Sequence, residues 1–231
     1  MRVFNTPAYL LPPPLAVFAS IAEHWRTLGV HALWTTGAIL AGFFLAALVA
    51  IPLAMLIVVS RTLGHLLYPP MVTTQAIPKI ALAPLFIVWF GFGLIPKVAV
   101  AFLIAFFPIV IDTIVGLRSI DPGVLQLARS MGAPPYRVFL KLRLPNALPM
   151  IFSGLKVAST LAVVGALTGE FVGSDKGLGY ILLLASGNLN TALLFGTLVI
   201  LSLVALAFFY LVELCERVLI PWHVSQRAHQ S

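Results

Sequence analysis

The chain has 231 residues, of which 61% are hydrophobic and 9% are charged, and its formal net charge is +7. Soluble domains carry roughly 25% charged residues, so this composition excludes an ordinary soluble fold and favours an integral membrane protein. The positive charge does not indicate nucleic-acid binding, because the basic residues lie in predicted loops and at span ends, where they orient the chain and contact lipid headgroups. The single cysteine, Cys215, excludes an internal disulfide.

Two long stretches, residues 27–60 and 177–212, contain no Asp, Glu, Lys or Arg. A membrane-spanning helix needs only about 20 apolar residues. The apolar residues run continuously instead of alternating, which favours helices over a β-barrel. We therefore predict an all-α integral membrane protein, a bundle of about five transmembrane helices forming one domain over residues 1–231.

The amino-terminal part, residues 1–30, is the least membrane-like section of the first half. It lacks the charged start, apolar middle and cleavage site of a signal peptide. Three consecutive prolines at 12–14 break any helix. Residues 15–28 then have the amphipathic pattern of a helix at the membrane surface, although a solvated lead-in fits the same pattern.

The first span is predicted over residues 33–59, where Gly37 and Gly42 permit close helix contact. The second region, residues 66–94, contains several prolines and Lys79. It is therefore predicted to be bent, with its polar part facing protein or a cytoplasmic cavity instead of lipid. The remaining spans are predicted over residues 96–117, 148–172 and 192–214.

Two acids, Asp112 and Glu170, lie inside predicted spans, where charge is costly and therefore suggests function. Asp112 lies one to two turns before the cytoplasmic exit and is predicted to pair with Arg118. Glu170 is placed near the outer rim. It either contacts a docked partner or lines a gate, or it caps the glycine-rich outer loop over residues 173–190, which contains a predicted interfacial helix at 180–185.

Residues 117–149 form the one long polar interruption. Its excess of positive charge predicts a cytoplasmic location. Asp121 followed by Pro122 is a helix start signal, and Gly132 is a stop signal, so a short helix is predicted over 121–132. A second short helix is predicted from residue 136 until Pro145. The basic residues of this loop are Arg118, Arg129, Arg137, Lys141 and Arg143.

This loop resembles the EAA motif of the permease subunits of ATP-binding-cassette (ABC) importers. That motif reads E-A-A-x-x-x-G, then nine residues, then I-x-L-P. The present chain has Q-L-A-x-x-x-G from Gln126 to Gly132, nine residues, and L-R-L-P from Leu142 to Pro145. The spacing matches in full, while Gln-Leu replaces Glu-Ala and Leu replaces Ile.

Two further stretches resemble the nitrate, sulfonate and taurine branch of that family. Glu170, Gly173 and residues 177–179 are similar to its E-x-x-G…G-L-G loop. Residues 77–93 are similar to its I-P-x-x-A-x-x-P-L…W-F-G-x-G pattern. The resemblance covers roughly residues 12–221.

The resemblance implies a type I ABC importer-like permease, a multi-pass protein of the bacterial inner membrane. It implies a homodimer that works with two ABC ATPase subunits and an extracytoplasmic substrate-binding protein, and it makes the helix at 121–132 the coupling helix that docks into the ATPase. The implied ATPase-coupling residues are Gln126, Leu127, Ala128, Arg129, Gly132, Leu142, Leu144 and Pro145. The implied gate or binding-protein contacts are Glu170, Gly173, Gly177 and Gly179.

The sequence contains no phosphate-binding glycine loop and no zinc-type histidine spacing, so we predict no enzyme activity, no metal and no cofactor, with ATP bound by the partner subunit. The branch implies a small anion such as nitrate, a sulfonate or taurine, or a vitamin precursor. The alternative is an ion-coupled secondary transporter. That class needs intramembrane ionisable groups and usually internal repeats; few such groups and no clear repeat are present.

The predicted topology conflicts with the family in one respect. With residues 117–149 inside, five spans place the amino terminus outside and the tail, residues 222–231, inside. Family members usually have six spans with both ends inside. Either a short amino terminus is exported or the chain begins downstream of the real start, and both remain open.

Overall fold

The computed structural model describes residues 12–221. Over this range the chain forms helices joined by short turns, and none of the described residues is in a strand. The prediction of an all-α protein is confirmed. The first eleven residues of the predicted lead-in and the predicted tail, residues 222–231, lie outside the described residues.

The first half contains α1 (Pro14–Glu23), α2 (Trp25–Val59), α3 (Arg61–Thr73) and α4 (Ala83–Phe90). The segment predicted as one amphipathic helix is divided at His24, and α2 begins well before the predicted residue 33. At 1.5 Å per residue α2 is about 52 Å long, which exceeds the roughly 30 Å hydrocarbon core. The apolar run therefore predicted the apolar part of α2 but not the residue at which the helix begins.

The predicted bend in the second region is confirmed. Two 3₁₀ turns, Thr74–Ala76 and Lys79–Leu82, connect α3 to α4. The two arms of this broken span meet at an angle of 88°. Ile77 is extended, as a residue before proline prefers, so the helix has to end before Pro78.

The second half contains α5 (Leu94–Arg118), α6 (Pro122–Ser130), α7 (Pro135–Val138), α8 (Leu144–Gly173), α9 (Leu178–Gly187) and α10 (Thr191–Leu219). A π-helical turn at Phe139–Arg143 joins α7 to α8, so one helix of 39 residues runs from Pro135 to Gly173. The predicted stop at Pro145 is wrong. Proline lacks an N–H and clashes with the carbonyl four residues earlier, and the wider π turn directly before it relieves that conflict.

Four helices of the described range are long and apolar enough to cross a bilayer, and the broken span makes a fifth if its two arms are counted together. This agrees with the predicted bundle of about five. The central pair is α5 and α8, with α2 packed against α5 and α10 packed against α8 and α9.

Small residues allow these helices to approach closely. A Cβ atom at Gly165 would lie 2.6 Å from the Cα atom of Ala101, and one at Gly42 would lie 2.5 Å from the Cβ atom of Ala101. Ala101 is therefore where α2, α5 and α8 meet. The predicted role of Gly42 in helix contact is confirmed, whereas a Cβ atom at Gly37 would meet nothing within 4 Å.

Replacing Gly165 with alanine is expected to destabilise the bundle by about 1–3 kcal/mol, because the added methyl group would collide with the α5 backbone. Gly37→Ala is the matched control, since the same methyl group there meets open space. Thermal melting in detergent, followed by fluorescence-detected size exclusion, measures both. Equal melting temperatures for the two variants would contradict the packing described.

Candidate functional site

The predicted cytoplasmic helix is present as α6, and local chemistry defines both of its ends. The Asp121 Oδ1 atom accepts a hydrogen bond of 2.6 Å from the Gly123 N–H, which caps the helix start. At the other end Gly132 has φ +73°, in the left-handed region that favours glycine. The Ala133 N–H then donates to the Ala128 carbonyl at 3.1 Å, which closes the helix with a Schellman-type turn.

One face of α6 exposes apolar side chains. Leu127 is 62% exposed and Met131 is 78% exposed, and Val124, one turn earlier on the same face, is also exposed. Among the predicted coupling residues, Gln126 and Arg129 are exposed as well, whereas Ala128 is half-buried. An exposed apolar cluster rimmed by polar groups is typical of a protein interaction surface.

The base of this segment is attached to the two central helices. The Asn146 side chain at the start of α8 donates a hydrogen bond of 3.0 Å to Ser119 Oγ at the end of α5. Leu144 packs against the buried cluster formed by Leu117 and Ala147. The other predicted supporting residues, Leu142 and Pro145, are half-buried at this junction. These contacts join the two ends of the segment that carries α6 to α5 and α8.

A second polar site lies at the opposite end of the bundle, around Glu170. This carboxylate is fully buried. It accepts hydrogen bonds from the Thr35 hydroxyl at 2.8 Å and from the Gly179 N–H at 2.7 Å. Thr35 Oγ1 in turn accepts from the Leu178 N–H at 2.8 Å. Glu170 and Thr35 thus satisfy N–H groups in the first turn of α9, where negative charge also complements the helix dipole.

Two more side chains hold the loop before α9. His31 Nδ1 accepts from the Gly177 N–H at 2.9 Å. Lys97, which is also buried, donates from Nζ to the Lys176 carbonyl at 2.5 Å. Helices α2, α5 and α8 therefore each contribute side chains to one fixed turn.

The structure brings together three of the four predicted outer residues. A Cβ atom at Gly177 would collide with the Glu170 carboxylate, and one at Gly179 would lie 2.8 Å from Glu170 Cβ. Gly173 instead lies against Ile87 and Phe92. The sequence left two roles open for Glu170, a contact with a partner or gate and a cap for the outer loop. The hydrogen bonds of its carboxylate are those of a cap for the following loop.

Sequence reasoning missed the partners of Glu170. His31 and Thr35 are polar residues within an apolar run, and Lys97 is a charge near the start of a predicted span. Their positions inside the spans could have indicated that they bond to other polar groups, because a polar side chain within a span needs a partner.

The predicted ion pair between Asp112 and Arg118 is wrong. The Arg118 guanidinium lies 5.3 Å from the centre of the Tyr68 ring, and Asp112 lies against Gly154 of α8. Residues six positions apart point to different faces of a helix, whereas spacings of three or four bring side chains together. An ion pair does form between two of the long helices, joining Lys156 of α8 to Glu216 of α10 at 2.7 Å.

Residues 38–222 match the family model described as "Binding-protein-dependent transport system inner membrane component". The chain belongs to this family. It is 37% identical to a probable ABC transporter permease protein of Haemophilus influenzae, over 90% of this chain and 84% of that protein. It is 39% identical to the riboflavin transport system permease protein RibX of Chloroflexus aurantiacus, over 95% and 82% of the two chains.

A third relative is the formylaminopyrimidine transport permease protein ThiX of Halalkalibacterium halodurans, 36% identical over 97% of this chain and 90% of that protein. Among solved structures, an inward-facing form of the MetNI methionine ABC transporter matches with a TM-score of 0.74 and 21% identity, over 85% of this chain and 97% of that chain. At this identity the match shows the shared fold alone.

This member of the binding-protein-dependent family is therefore a multi-pass inner-membrane permease of an ABC importer. It is not an enzyme, since ATP hydrolysis in such importers takes place on a separate ATPase subunit, and a substrate-binding protein is the second partner. Family membership excludes the alternative of an ion-coupled secondary transporter.

Proposed function

We propose that two copies of this permease form the translocation pathway, and that α6 is the coupling helix through which an ATPase subunit moves them. The observation that carries the proposal is the exposed apolar face of α6, centred on Leu127, at the end of a segment attached to both α5 and α8. A docked ATPase cleft would cover that face and pull on the central helix pair.

The broken span supports a homodimer. Most residues from 75 to 82 are exposed on the single chain, although this turn interrupts a span. Irregular backbone at membrane depth is tolerated only where protein or a water-filled path covers it. A second copy of the chain, enclosing a pathway between the two broken spans, would supply that cover.

In this proposal the segment over residues 117–149 faces the cytoplasm, and the lead-in over residues 1–30 lies on the extracytoplasmic side. The turn before α9 then faces outward, where the binding protein docks. Glu170, Gly177 and Gly179 would shape this turn from inside, and the exposed residues of the turn would make the contact.

The solute we propose is a small heterocyclic vitamin or vitamin precursor. This class is supported by the relatives named for riboflavin and formylaminopyrimidine, which are 39% and 36% identical to this chain. The relative named for taurine is 27% identical. A sulfonate-type anion is the second candidate, supported by the sequence pattern at residues 77–93 and by that relative.

Reconstitution tests this function. The permease, its ATPase and its binding protein are placed in proteoliposomes, and uptake of labelled riboflavin, formylaminopyrimidine and taurine is measured. Uptake is expected to require ATP and the binding protein, and to persist when ionophores collapse ion gradients. Uptake that follows an ion gradient without ATP would contradict the proposal.

A further inference from the structure

The broken span carries a cation that the coupling mechanism does not use. Lys79 is the first residue of the 3₁₀ turn that follows Pro78. Its Nζ atom lies 4.5 Å from the centre of the Phe107 ring. Its hydrogen bond, to the Gln75 carbonyl, is 3.4 Å long and therefore weak.

This lysine lies level with the middle of α5, one of the helices long and apolar enough to cross a bilayer. Phe107 is near the middle of α5, about 20 Å from Leu94 and about 17 Å from Arg118 at 1.5 Å per residue. Both distances exceed about 15 Å, which is half the thickness of the roughly 30 Å hydrocarbon core. The Lys79 ammonium group, directly over this ring, is thus too deep to reach either headgroup layer easily.

Lys79 lies in the wall of a cavity of about 320 Å³ between the broken span, α5 and α8. A volume of this size accommodates a small organic solute. The cavity has one cationic group, one aromatic ring and otherwise mainly apolar walls. Its lining includes Gln75, Lys79, Phe107, Pro108, Leu161 and Val164.

The other two lysines within the spans have clear structural partners. Lys97 bonds to the carbonyl that precedes Gly177, and Lys156 pairs with Glu216 at 2.7 Å. Between residues 12 and 221, no carboxylate lies within ion-pair distance of Lys79. An uncompensated charge inside a span is costly, so its presence there points to a ligand.

We propose that Lys79 contacts the transported solute, donating hydrogen bonds to an electron-rich acceptor group while Phe107 packs against the apolar part of the same molecule. This inference rests on the proposed transport function and assigns a solute contact to its pathway. The shared chemistry is an acceptor oxygen or nitrogen, which either a neutral heterocycle or a sulfonate presents.

The test uses the complete transporter in proteoliposomes, with riboflavin and taurine as probes. Lys79→Met keeps the length of the side chain but removes its charge and donors, and it is expected to lower ATP-driven uptake at least tenfold. Lys79→Arg is expected to retain most uptake. Lys79→Gln distinguishes the two sources: retained uptake indicates a neutral acceptor, and lost uptake indicates an anion.

Arg217→Met is the matched control, because it likewise replaces a cation with methionine, at an exposed position on α10, none of whose residues line this cavity. ATPase copurification and basal ATP hydrolysis are expected to be unchanged in Lys79→Met, which separates a lost solute contact from lost coupling. If Lys79→Met takes up the probes as fast as the wild type does, the solute contact is overturned, but the proposed transport function is not. Absence of ATP-driven uptake of both probes by the wild type would contradict the transport proposal and this inference together.

A different occupant would also be revealed. Lys79→Asp and Asp112→Lys are made singly and together. If each single variant loses uptake and the double variant regains it, Lys79 forms an ion pair between two copies of the chain. That result would overturn the solute contact.

Discussion

Truncating Glu170 to alanine is expected to cost about 1–3 kcal/mol of stability, because the carboxylate is buried and the Gly179 N–H would lose its acceptor. The Thr35 hydroxyl would lose its shorter bond, to Glu170 at 2.8 Å, and keep the longer one, to the His31 carbonyl at 3.2 Å. Buried donors left unpaired are penalised by their full desolvation cost. Thermal melting of the purified permease, with recovery of monodisperse protein, measures the loss.

Glu170→Gln is expected to fall between wild type and alanine. Its amide keeps one acceptor oxygen but places an NH₂ group against groups that donate. Glu213→Ala is the control, since Glu213 pairs with the exposed Arg217 on one face of α10 and surface pairs contribute about 0–1 kcal/mol.

The same variants distinguish the two roles that the sequence left open for Glu170. A cap predicts that stability and transport fall together. A Glu170→Ala protein that melts like wild type but no longer transports would show a gating role and contradict the capping one.

Replacing Leu127 with aspartate is expected to weaken ATPase association at least tenfold while leaving the bundle folded. The side chain is 62% exposed on the single chain, so the substitution removes little internal packing. In the docked state, however, it would bury a charged group in an apolar cleft, which is strongly unfavourable without a partner. Copurification of the ATPase with tagged permease measures the effect.

Leu189→Asp is the matched control for this experiment. Leu189 is 74% exposed in the turn between α9 and α10, at the other end of the bundle from α6. Its φ is +53°, a conformation that aspartate adopts more readily than leucine. Two outcomes would contradict the assignment of α6 as the coupling helix. One is that Leu127→Asp recovers as much ATPase as the wild type, and the other is that Leu189→Asp loses the ATPase.

The proposed coupling through α6 would make use of the single helix that runs from Pro135 to Gly173. A continuous helix transmits a push at its cytoplasmic end along its whole length, whereas the break predicted at Pro145 would have absorbed the motion. The π turn at Phe139–Arg143 keeps the helix continuous through the proline. Single π-helical turns within α-helices occur frequently at functional sites.

The amino-acid sequence by itself determined the membrane class, the approximate number of spans and the ends of α6. Each of these depends on local properties: the length of an apolar run, an Asp-Pro start signal, and a glycine that can adopt positive φ. The bend before Pro78 was predictable for the same reason, because proline restricts the residue directly before it.

Only the tertiary structure decided the partners of the charged residues. Glu170 bonds to Thr35 across 135 positions of sequence, and Lys156 pairs with Glu216 across 60. Such partners depend on the rotation of each helix about its axis, which for α2, α5 and α8 is restricted by the close contacts of Gly42 and Gly165 with Ala101. An apolar run specifies that a helix crosses the membrane, but its composition does not specify which side faces its neighbours, and that orientation positions every polar contact.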